Sequence, residues 1–527
     1  MRLVHTLPLL AAVLAALLLP AASASALSYP VTSTADSDSK GTLRGSIEES
    51  NAHMGADSIP IEVSGTIELG SALPGIGDDL TITGPGAASL TVARKASAPP
   101  FSVFQFFGSN AAVSGITVSG GKAATGAGIL NGSGELVLVR VKVSGNEAAA
   151  ETGGLAGGGG IFSNGTLTLR DSVVSENLAI SSGGFENVAA GAGVETEGIL
   201  FVERSTISGN RAEALAEGEA KAEAIGGGLA VAFSSGATII EESTISGNIV
   251  LAADATDFAA ARGGGIGGAA VNVTGSTIAA NGVELDAAGV SLSSVAGDNL
   301  AVTGAGVIRD SLVALPGGEG ENCAGSLVSG GFNLDEDGTC GFGKGSDLNG
   351  VAASLDPVLK DNGGPTPTHA LLTGSIAIDR GNSFGASTDQ RGLPRPSDFP
   401  EISDKEGGDG SDIGAFELQA PPAGGPPPSP PILVGSQPGD TTPPQTRIVS
   451  GPARSGFERL AKFRFTSSEG QSSFRCKLDK KRWKKCRSPY KLSVKPGKHL
   501  LKVRAIDRFG NADPTPARFG WRVKPVG

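Results

Sequence analysis

The chain has 527 residues, 80 of them glycine, and 39% hydrophobic residues with only 5% aromatic ones. The length exceeds what one compact core requires, and the composition fits a repetitive β-structure better than an ordinary globule. The formal net charge of −11 hides an asymmetry, because residues 441–527 hold 22 Lys and Arg against 5 Asp and Glu, whereas the remainder holds 20 and 48. Two regions so different in charge predict two domains.

Residues 1–26 have the pattern of a secretory signal peptide. Arg2 and His5 precede an apolar core over 7–19, and small residues over 22–26 offer a cleavage site. The apolar core is too short to span a membrane, and no later stretch is apolar enough to do so. We therefore expect an exported protein without a transmembrane segment, either secreted or associated with the cell surface.

Residues 27–125 are predicted to form an N-terminal cap and the first coils of a stacked β-structure. Residues 42–51 read as a short amphipathic helix, which we expect to cover the open end of the stack, because an uncovered coil exposes unpaired strand edges.

A repeated unit fills residues 126–300. Its copies end in an asparagine at successive spacings of 31, 33, 38 and 33 residues, a period typical of units that bury a core only when stacked. The terminal asparagines are Asn146, Asn177, Asn210, Asn248 and Asn281.

Four columns of the aligned repeats are chemically uniform. They are Leu136, Leu167, Leu200, Thr238 and Val271; Leu138, Leu169, Val202, Ile240 and Val273; Val141, Ser172, Ser205, Ser243 and Ser276; and Val143, Val174, Ile207, Ile245 and Ile278. Apolar residues two apart predict strands with one buried face. The change of parity between the second and third columns predicts a bend between two short strands, so each unit should hold two or three strands and a glycine-rich corner.

These patterns predict an all-β chain with a right-handed parallel β-helix, in which Asn stacks on Asn about 4.8 Å apart. A β-propeller is disfavoured because the repeats lack the Trp-Asp signatures common in its blades. Alanine-rich segments of variable length, 147–156, 178–190, 211–225 and 249–262, separate each asparagine from the next corner. They are predicted to be loops along one side, acting either as solvated spacers or as a binding face.

Residues 301–418 are predicted to form the C-terminal coils and cap. Charged residues of both signs recur there, and we expect them to form a paired, structural network that closes the last coil. They are Asp379, Arg380, Asp389, Arg391, Arg395 and Asp412.

The opening segment 41–52, the repeat over 157–177 and the motifs at 361–369, 388–392 and 412–417 occur together in this order. In this they resemble bacterial secreted proteins of the CSLREA-type and choice-of-anchor Q families, whose repeats are similar to those of polymorphic outer-membrane proteins. The resemblance covers about residues 28–418. It implies a secreted or surface-displayed β-helix with no catalytic residues to carry over, although Leu43-Arg-Gly-Ser46 departs from the Leu-Arg-Glu-Ala form.

A Pro- and Gly-rich linker over 419–440 leads to the basic domain over 441–527. Alternating apolar and polar stretches there predict a small β-sandwich, which resembles the immunoglobulin-like or fibronectin-like modules appended to bacterial secreted proteins. The four cysteines fall into local pairs. In an oxidising compartment they predict the disulfides Cys323–Cys340 and Cys476–Cys486.

Enzymatic activity has to be weighed, because parallel β-helices include polysaccharide lyases and glycoside hydrolases. The aligned dipeptides at the bend, 170–171, 203–204 and 241–242, carry charges of mixed sign, and a ladder of surface charge pairs accounts for them. The repeats contain no Trp or Tyr on which a sugar could stack. We predict no catalytic residue and keep a β-helix lyase or hydrolase as the alternative function.

No cofactor is predicted. The Asp-rich turns at 335–337 and 409–412 are weak candidates for Ca²⁺, because Asp is common in turns for conformational reasons alone. His53, His369 and His499 each stand alone in the sequence without a nucleophile at a meaningful spacing.

A basic cluster surrounds the last cysteine of the chain. It consists of Lys480, Lys481, Arg482, Trp483, Lys484, Lys485 and Arg487. A solvated hairpin is the simplest interpretation, and a polyanion-binding site is the functional one. For an exported protein we expect an anionic cell-envelope polymer or glycan as partner rather than nucleic acid. The sequence thus predicts a non-catalytic, adhesive or envelope-associated β-helix protein, with no indication of its oligomeric state.

Overall fold

The computed structural model describes residues 26–216, 220–232, 236–253, 255, 258–286, 292–318, 320–420, 443–452, 455–456, 459–467, 473–486, 490–506 and 511–524. The chain divides into two compact units, Met1–Ala420 and Pro421–Gly527, here called the β-helix unit and the C-terminal unit. Nearly all of the predicted signal peptide and linker, together with Arg487 of the basic cluster, lies outside the described residues. No helix in the described part of the chain is long and apolar enough to cross a membrane.

The β-helix unit is built almost entirely of short strands. In chain order its elements are α1 (Leu43–Asn51), β1 (Asp57–Pro60), β2 (Gly65–Leu69), β3 (Leu80–Thr83), β4 (Leu90–Arg94), β5 (Phe104–Ser114), β6 (Thr117–Ser119), β7 (Lys122–Ala123), β8 (Ile129–Val139), β9 (Lys142–Ser144), β10 (Glu147–Ala150), β11 (Gly154–Gly157), β12 (Ile161–Ser163), β13 (Thr166–Arg170), β14 (Val173–Ser175), β15 (Leu178–Ser182), β16 (Glu186–Ala190), β17 (Val194–Thr196), β18 (Ile199–Glu203), β19 (Thr206–Ser208), β20 (Arg211–Leu215), β21 (Lys221–Ile225), β22 (Leu229–Val231), β23 (Thr238–Glu241), β24 (Thr244–Ser246), β25 (Ile249–Ala253), β26 (Phe258–Arg262), β27 (Ile266–Gly268), β28 (Asn272–Thr274), β29 (Thr277–Ala279), β30 (Gly282–Asp286), β31 (Leu292–Ala296), β32 (Leu300–Arg309), β33 (Leu312–Ala314), β34 (Cys323–Gly331), β35 (Leu334–Asp335) and β36 (Leu348–Asn349).

These strands form four parallel sheets, each taking one or two strands from every regular coil. Sheet S1 has 14 strands and runs from β1 to β34; sheet S2 has 11 strands in the order β2-β4-β6-β9-β14-β19-β24-β29-β33-β35-β36. One continuous core of Leu, Ile and Val from S1 and S2 lies inside the stack. The predicted columns pair in register, as between Leu167 and Leu200 or Val174 and Ile207, which confirms the parallel β-helix.

The prediction that the alanine-rich segments are loops is wrong. They form sheet S3, in the order β30-β25-β20-β15-β10-β7, and sheet S4, in the order β11-β16-β21-β26-β31. Every second residue, as in Ala212 and Ala214 of β20 or Ala222 and Ala224 of β21, is buried in an alanine core between the two sheets. A coil therefore carries up to five strands rather than two or three. The small Cβ allows the two sheets to pack closely, and the alternating polar residues face outward.

Polar side chains also stack from coil to coil. Each ladder amide donates from Nδ2 to the Oδ1 of the next at 2.7–2.9 Å, through Asn146, Asn177, Asn210, Asn248, Asn281, Asn299 and Asn322. A parallel ladder joins backbone N–H groups to the serine hydroxyls of the next coil at 3.0–3.3 Å. All these groups are buried, so the ladders satisfy donors and acceptors that would otherwise be costly to bury.

The predicted bend lies at one corner column, where S1 leads into S2. Residues in this column have a left-handed backbone, with φ of 53° at Arg140, 51° at Asp171 and 45° at both Arg204 and Glu242. Helix α1 begins after its N-cap Thr42, and Leu43 and Ile47 are fully buried in the core of the first coils. This confirms the helix predicted over 42–51.

The C-terminal part of the β-helix unit does not simply close the stack. Residues 361–418, here called the cover segment, lie on the outer face of S2. Outward hydroxyls of three successive coils hydrogen-bond to it: Thr206 Oγ1 donates to Pro367 O at 2.7 Å, Thr244 Oγ1 donates to Gln390 Oε1 at 2.6 Å, and Thr277 Oγ1 accepts from Ala415 N at 3.0 Å.

The C-terminal unit contains β37 (Thr446–Ser450), β38 (Ser455–Gly456), β39 (Leu460–Ser467), β40 (Ser473–Leu478), β41 (Lys484–Cys486), β42 (Tyr490–Ser493), β43 (Gly497–Ile506) and β44 (Ala517–Val523). Sheets β37-β39-β42 and β38-β44-β43-β40-β41 share one core that includes Phe463, Phe465, Leu501 and Trp521, as predicted for a small sandwich. Both predicted disulfides, Cys323–Cys340 and Cys476–Cys486, are formed.

Candidate polyanion-binding face

The most unusual surface of the protein is one side of the five-stranded sheet in the C-terminal unit. Side chains alternate along its strands, and those of Cys476, Leu501, Val503, Trp521 and Val523 are buried against the partner sheet. The residues between them point to the opposite side, as the period of a strand requires. Eight of these outward residues are cations, here called the cationic face: Arg475, Lys477, Lys485, Lys498, Lys502, Arg504, Arg518 and Arg522.

The register of the sheet places these cations directly opposite one another. Arg475 of β40 pairs with Lys485 of β41 on one side and with Arg504 of β43 on the other. Directly opposed residues have Cβ atoms only about 4.5–5.5 Å apart.

A second row crosses three strands from Lys477 through Lys502 to Arg518, and Lys498 pairs with Arg522. The face therefore consists of adjacent rows of positive charge.

No carboxylate in the described part of this unit neutralises the cationic face. Asp479 accepts from Leu500 N at 2.8 Å and from His499 Nδ1 at 3.0 Å. Asp513 accepts from Thr446 N at 2.8 Å and from the backbone and hydroxyl of Thr515. Both acids are thus committed to local structure.

Trp483 adds an aromatic ring to this face. The guanidinium carbon of Arg504 lies 4.7 Å from the ring centroid, a distance at which a cation is attracted to the ring. Arg504 Nε is buried and has no hydrogen-bond partner in the described residues. The contact therefore holds the guanidinium on the sheet surface without neutralising its charge.

The residues of the predicted basic cluster do not all lie on the cationic face. Lys485 belongs to the cationic face and Trp483 covers part of it, whereas Lys480, Lys481 and Arg482 are exposed in the turn between β40 and β41. Lys484 is an exposed residue of the edge strand, and Arg487 lies outside the described residues.

Sequence reasoning missed seven of the eight cations of the face. The signal that could have found them is the period of two in Arg475-x-Lys477, Lys502-x-Arg504 and Arg518-x-x-x-Arg522.

In the charged column at the bend of the β-helix unit, unlike on the cationic face, acids and bases form ion pairs. Arg170 Nε lies 2.7 Å from Glu203 Oε2, and Arg204 Nε lies 2.9 Å from Asp171 Oδ1, so neighbouring coils neutralise one another as predicted. Glu242 departs from the prediction of a surface pair. It is buried beneath the cover segment, where its Oε2 lies 2.6 Å from Arg395 Nη1.

Arg395 is the centre of a buried network. Besides Glu242, its Nη2 lies 3.2 Å from Asp310 Oδ2 and its Nε lies 3.3 Å from Glu417 Oε2. Burial raises the pKa of Glu242 to about 7 and that of Glu417 to about 8, although Arg395 acts in the opposite direction.

The predicted charge network therefore exists, but it fixes the cover segment to the side of the coils rather than closing the last coil. Asp412 N donates to Glu417 Oε2, and Asp389 pairs with Arg391 at 2.7 Å. Asp379 Oδ2 accepts from Phe399 N within the cover segment. Arg380 is half-buried and makes no ion pair with the described residues.

The two weak calcium candidates are engaged in hydrogen bonds within the chain. Asp335 accepts from Cys340 N at 2.7 Å and from Asn322 Nδ2 at 3.0 Å, and Asp409 accepts from the hydroxyls of Ser383 and Ser411. No group of three or more His, Cys, Asp or Glu in the described chain has metal-binding geometry.

The cover segment also brings together a serine and a histidine that lie 123 residues apart. Ser246 Oγ lies 2.7 Å from His369 Nε2, while His369 Nδ1 lies 2.7 Å from the Asp356 carbonyl oxygen. That carbonyl can only accept, so Nδ1 carries the proton and Nε2 accepts from the hydroxyl. Burial lowers the pKa of His369, and both side chains are inaccessible, so the pair anchors the cover segment.

Comparison of the chain with known protein families, with curated proteins and with solved structures found no match. The resemblance to the choice-of-anchor Q and CSLREA-type families therefore stays a prediction.

Proposed function

We propose that the protein is an exported, non-catalytic β-helix protein that binds anionic cell-envelope polymers or acidic glycans through the cationic face of its C-terminal unit. The β-helix unit then serves as the adhesive or spacing part held at the envelope. The observation that carries this proposal is the cross-strand register of the face, in which Lys477, Lys502 and Arg518 lie side by side.

Like charges opposite one another on neighbouring strands destabilise a sheet. The rows of the cationic face break this rule, and no carboxylate in the described part of the unit compensates for them; unfavourable local arrangements of this kind are common at functional sites. A linear polyanion is the ligand that neutralises rows of charge spaced by the strand separation, since its own charges repeat along a chain.

Two disulfides, together with the finding that no helix of the described residues is long and apolar enough to span a membrane, are compatible with an extracellular location. We infer on this basis that the partner is a polymer outside the cell, such as a polyuronate or a poly(glycerol phosphate), rather than a nucleic acid.

The test uses the mature full chain, residues 27–527, and measures its binding to immobilised polygalacturonate, poly(glycerol phosphate), duplex DNA and neutral dextran. We expect binding to the two envelope-type polyanions at low salt and its loss as added NaCl screens the charges. A face variant, Lys477→Gln with Lys502→Gln and Arg518→Gln, should bind at least tenfold more weakly.

A turn variant, Lys480→Gln with Lys481→Gln and Arg482→Gln, removes the same charge from the neighbouring turn and is the matched control. We expect its binding to weaken less than that of the face variant. Equal loss in the two variants would show that net charge alone matters and would refute the face as the site. Tighter binding to DNA than to the envelope polymers would overturn the choice of partner, and release of reducing ends or unsaturated products would overturn the non-catalytic assignment.

A further inference from the structure

A trough on the outer face of S2 has features of a binding site. It encloses about 630 Å³, within the range of small-ligand pockets, about 300–1,000 Å³. The loop at Ala87 and Ala88 forms one end and Pro365 of the cover segment forms the other. The floor between them is made by outward residues of successive coils, including Thr117 and Lys142.

Two cations of the trough are unpaired. Arg140 at the corner and Lys142 on β9 are both exposed, and neither forms an ion pair with a described residue. Asp171 also lines the trough, but its carboxylate is paired with Arg204 of the next coil.

Other cations of the β-helix unit do form ion pairs. Lys122, Arg170, Lys221 and Arg262 each pair with an acid one coil away. In a unit rich in carboxylates, two adjacent unpaired cations make a localised site for an anionic group.

The position of the trough supports a polar ligand. Its floor belongs to the outward column Thr66, Thr91, Thr117, Lys142, Val173, Thr206, Thr244, Thr277 and Leu312. From Thr206 onward the cover segment occupies this face and hydrogen-bonds to its hydroxyls. Between Thr66 and Val173 no hydrogen bond joins this column to the cover segment, and Lys142 is the one charged residue of the column.

We propose that the trough binds an acidic saccharide, with the carboxylate of a uronic acid unit between Arg140 and Lys142. Sugar hydroxyls then face Thr91 and Thr117 on the floor, as the carbonyl and amide groups of the cover segment face the threonines of the same column further along. A smaller hollow of about 260 Å³ shares Gly86 and Arg140 with the trough, so a chain of more than one sugar can continue past the corner. No aromatic ring lines the trough, so we expect weak affinity, with a Kd on the order of 1 mM.

The experiment must separate this site from the cationic face. The mature full chain carrying the face variant is therefore the starting protein, and binding of trigalacturonate and of neutral maltotriose is followed by saturation-transfer NMR. We expect trigalacturonate to bind and maltotriose not to bind. Adding Arg140→Gln and Lys142→Gln should raise the Kd for trigalacturonate at least tenfold.

The matched control adds Lys95→Gln and Lys344→Gln, which remove the same charge from exposed positions outside the trough, and it should leave the Kd unchanged. Three outcomes would each refute the site: no trigalacturonate binding at ten times the expected Kd, equal binding of maltotriose, or equal weakening by the control pair. The cationic face has lost the same three cations in every protein compared, so the five that remain cannot account for a difference between the two pairs of substitutions.

Discussion

The two units of this protein use charge in opposite ways. In the β-helix unit, many charged residues lie beside an opposite charge of the next coil, as Arg170 does beside Glu203, and the buried guanidinium of Arg395 is surrounded by carboxylates. In the C-terminal unit, Lys477, Lys502 and Arg518 stack with the same sign.

Ion pairs between neighbouring coils are common in the β-helix unit. Even exposed charged residues of the repeats form ion pairs, although such a pair contributes only about 0–1 kcal/mol to stability. Among the described residues the rows of the cationic face have no such pairing, so we infer a partner outside the chain as the source of negative charge. Four predictions test this difference.

Replacing Arg395 should have the largest effect. Arg395→Leu leaves Glu242, Asp310 and Glu417 buried without their cation, and breaking a buried pair in this way typically costs about 3–5 kcal/mol of unfolding free energy. Denaturant unfolding of the variant should show this loss at pH 8. The loss should be smaller at pH 5, where Glu242 and Glu417, with pKa values of about 7 and 8, are protonated.

The control for Arg395 is Arg170→Leu, which removes a partly exposed pair and should cost no more than about 1 kcal/mol. Equal losses in the two variants would show that the buried network does not hold the cover segment.

Glu195 is a buried acid of the β-helix unit with no ion pair among the described residues, and it should make stability depend on pH. It packs against Gly157, and its Oε2 has no hydrogen-bond partner in the described residues. Burial, with a smaller contribution from Glu197, raises its pKa to about 8. The folded chain thus holds a proton that the unfolded chain has already released, so the stabilising contribution is complete below about pH 4.5 and is lost as the pH rises towards 8.

Glu195→Gln keeps the shape but cannot ionise, so the variant should lose this part of the pH dependence. Relative to the variant, the native protein should lose roughly 2–4 kcal/mol between pH 5 and 9, since one pKa unit corresponds to about 1.36 kcal/mol. Unfolding curves across this range provide the measurement, with exposed Glu62→Gln as control. Parallel curves for the native protein and Glu195→Gln would contradict the assignment.

The next largest loss of unfolding free energy is expected from breaking the amide ladder. Asn210 Nδ2 donates to Asn248 Oδ1 at 2.9 Å and to Val174 O at 3.0 Å, and Oδ1 accepts from Asn177. Asn210→Ala leaves these buried partners unsatisfied, so unfolding free energy should fall by about 2–3 kcal/mol in a denaturant titration. Asn164→Ala, at an exposed position outside the ladder, should change it by less than about 0.5 kcal/mol.

The sequence was sufficient to predict the ladder and the parallel sheets, because columns such as Asn177 and Asn210 are uniform in chemistry and nearly uniform in spacing. It was insufficient for sheets S3 and S4. Alanine has a low intrinsic preference for strands, and the alternation in Ala212-Glu-Ala214 has physical meaning only when a second alanine-rich strand packs against it.

The site was harder to predict than the fold. The contact between Ser246 and His369 joins positions 123 residues apart, and no local pattern reports such a contact. On the C-terminal unit the dense cluster at 480–487 drew attention by its composition, whereas the cationic face is spread over four strands. Only the register shows that Arg475 and Arg504 are neighbours.

The smallest expected effect is that of salt on the C-terminal unit. It tests directly whether the charges of the cationic face repel one another. If the rows of the cationic face repel, raising NaCl from about 20 to about 500 mM should stabilise the C-terminal unit by less than about 1 kcal/mol, because salt screens the repulsion. Hydrogen exchange of the β43 amides should slow by up to about fivefold, while amides of β19, next to paired charges, should not slow. Lys502→Gln with Arg518→Gln should slow exchange of β43 at low salt and remove the salt effect. Faster exchange at high salt would mean that the face is stabilised by attraction within the chain, and the argument for an external polyanion would then fail.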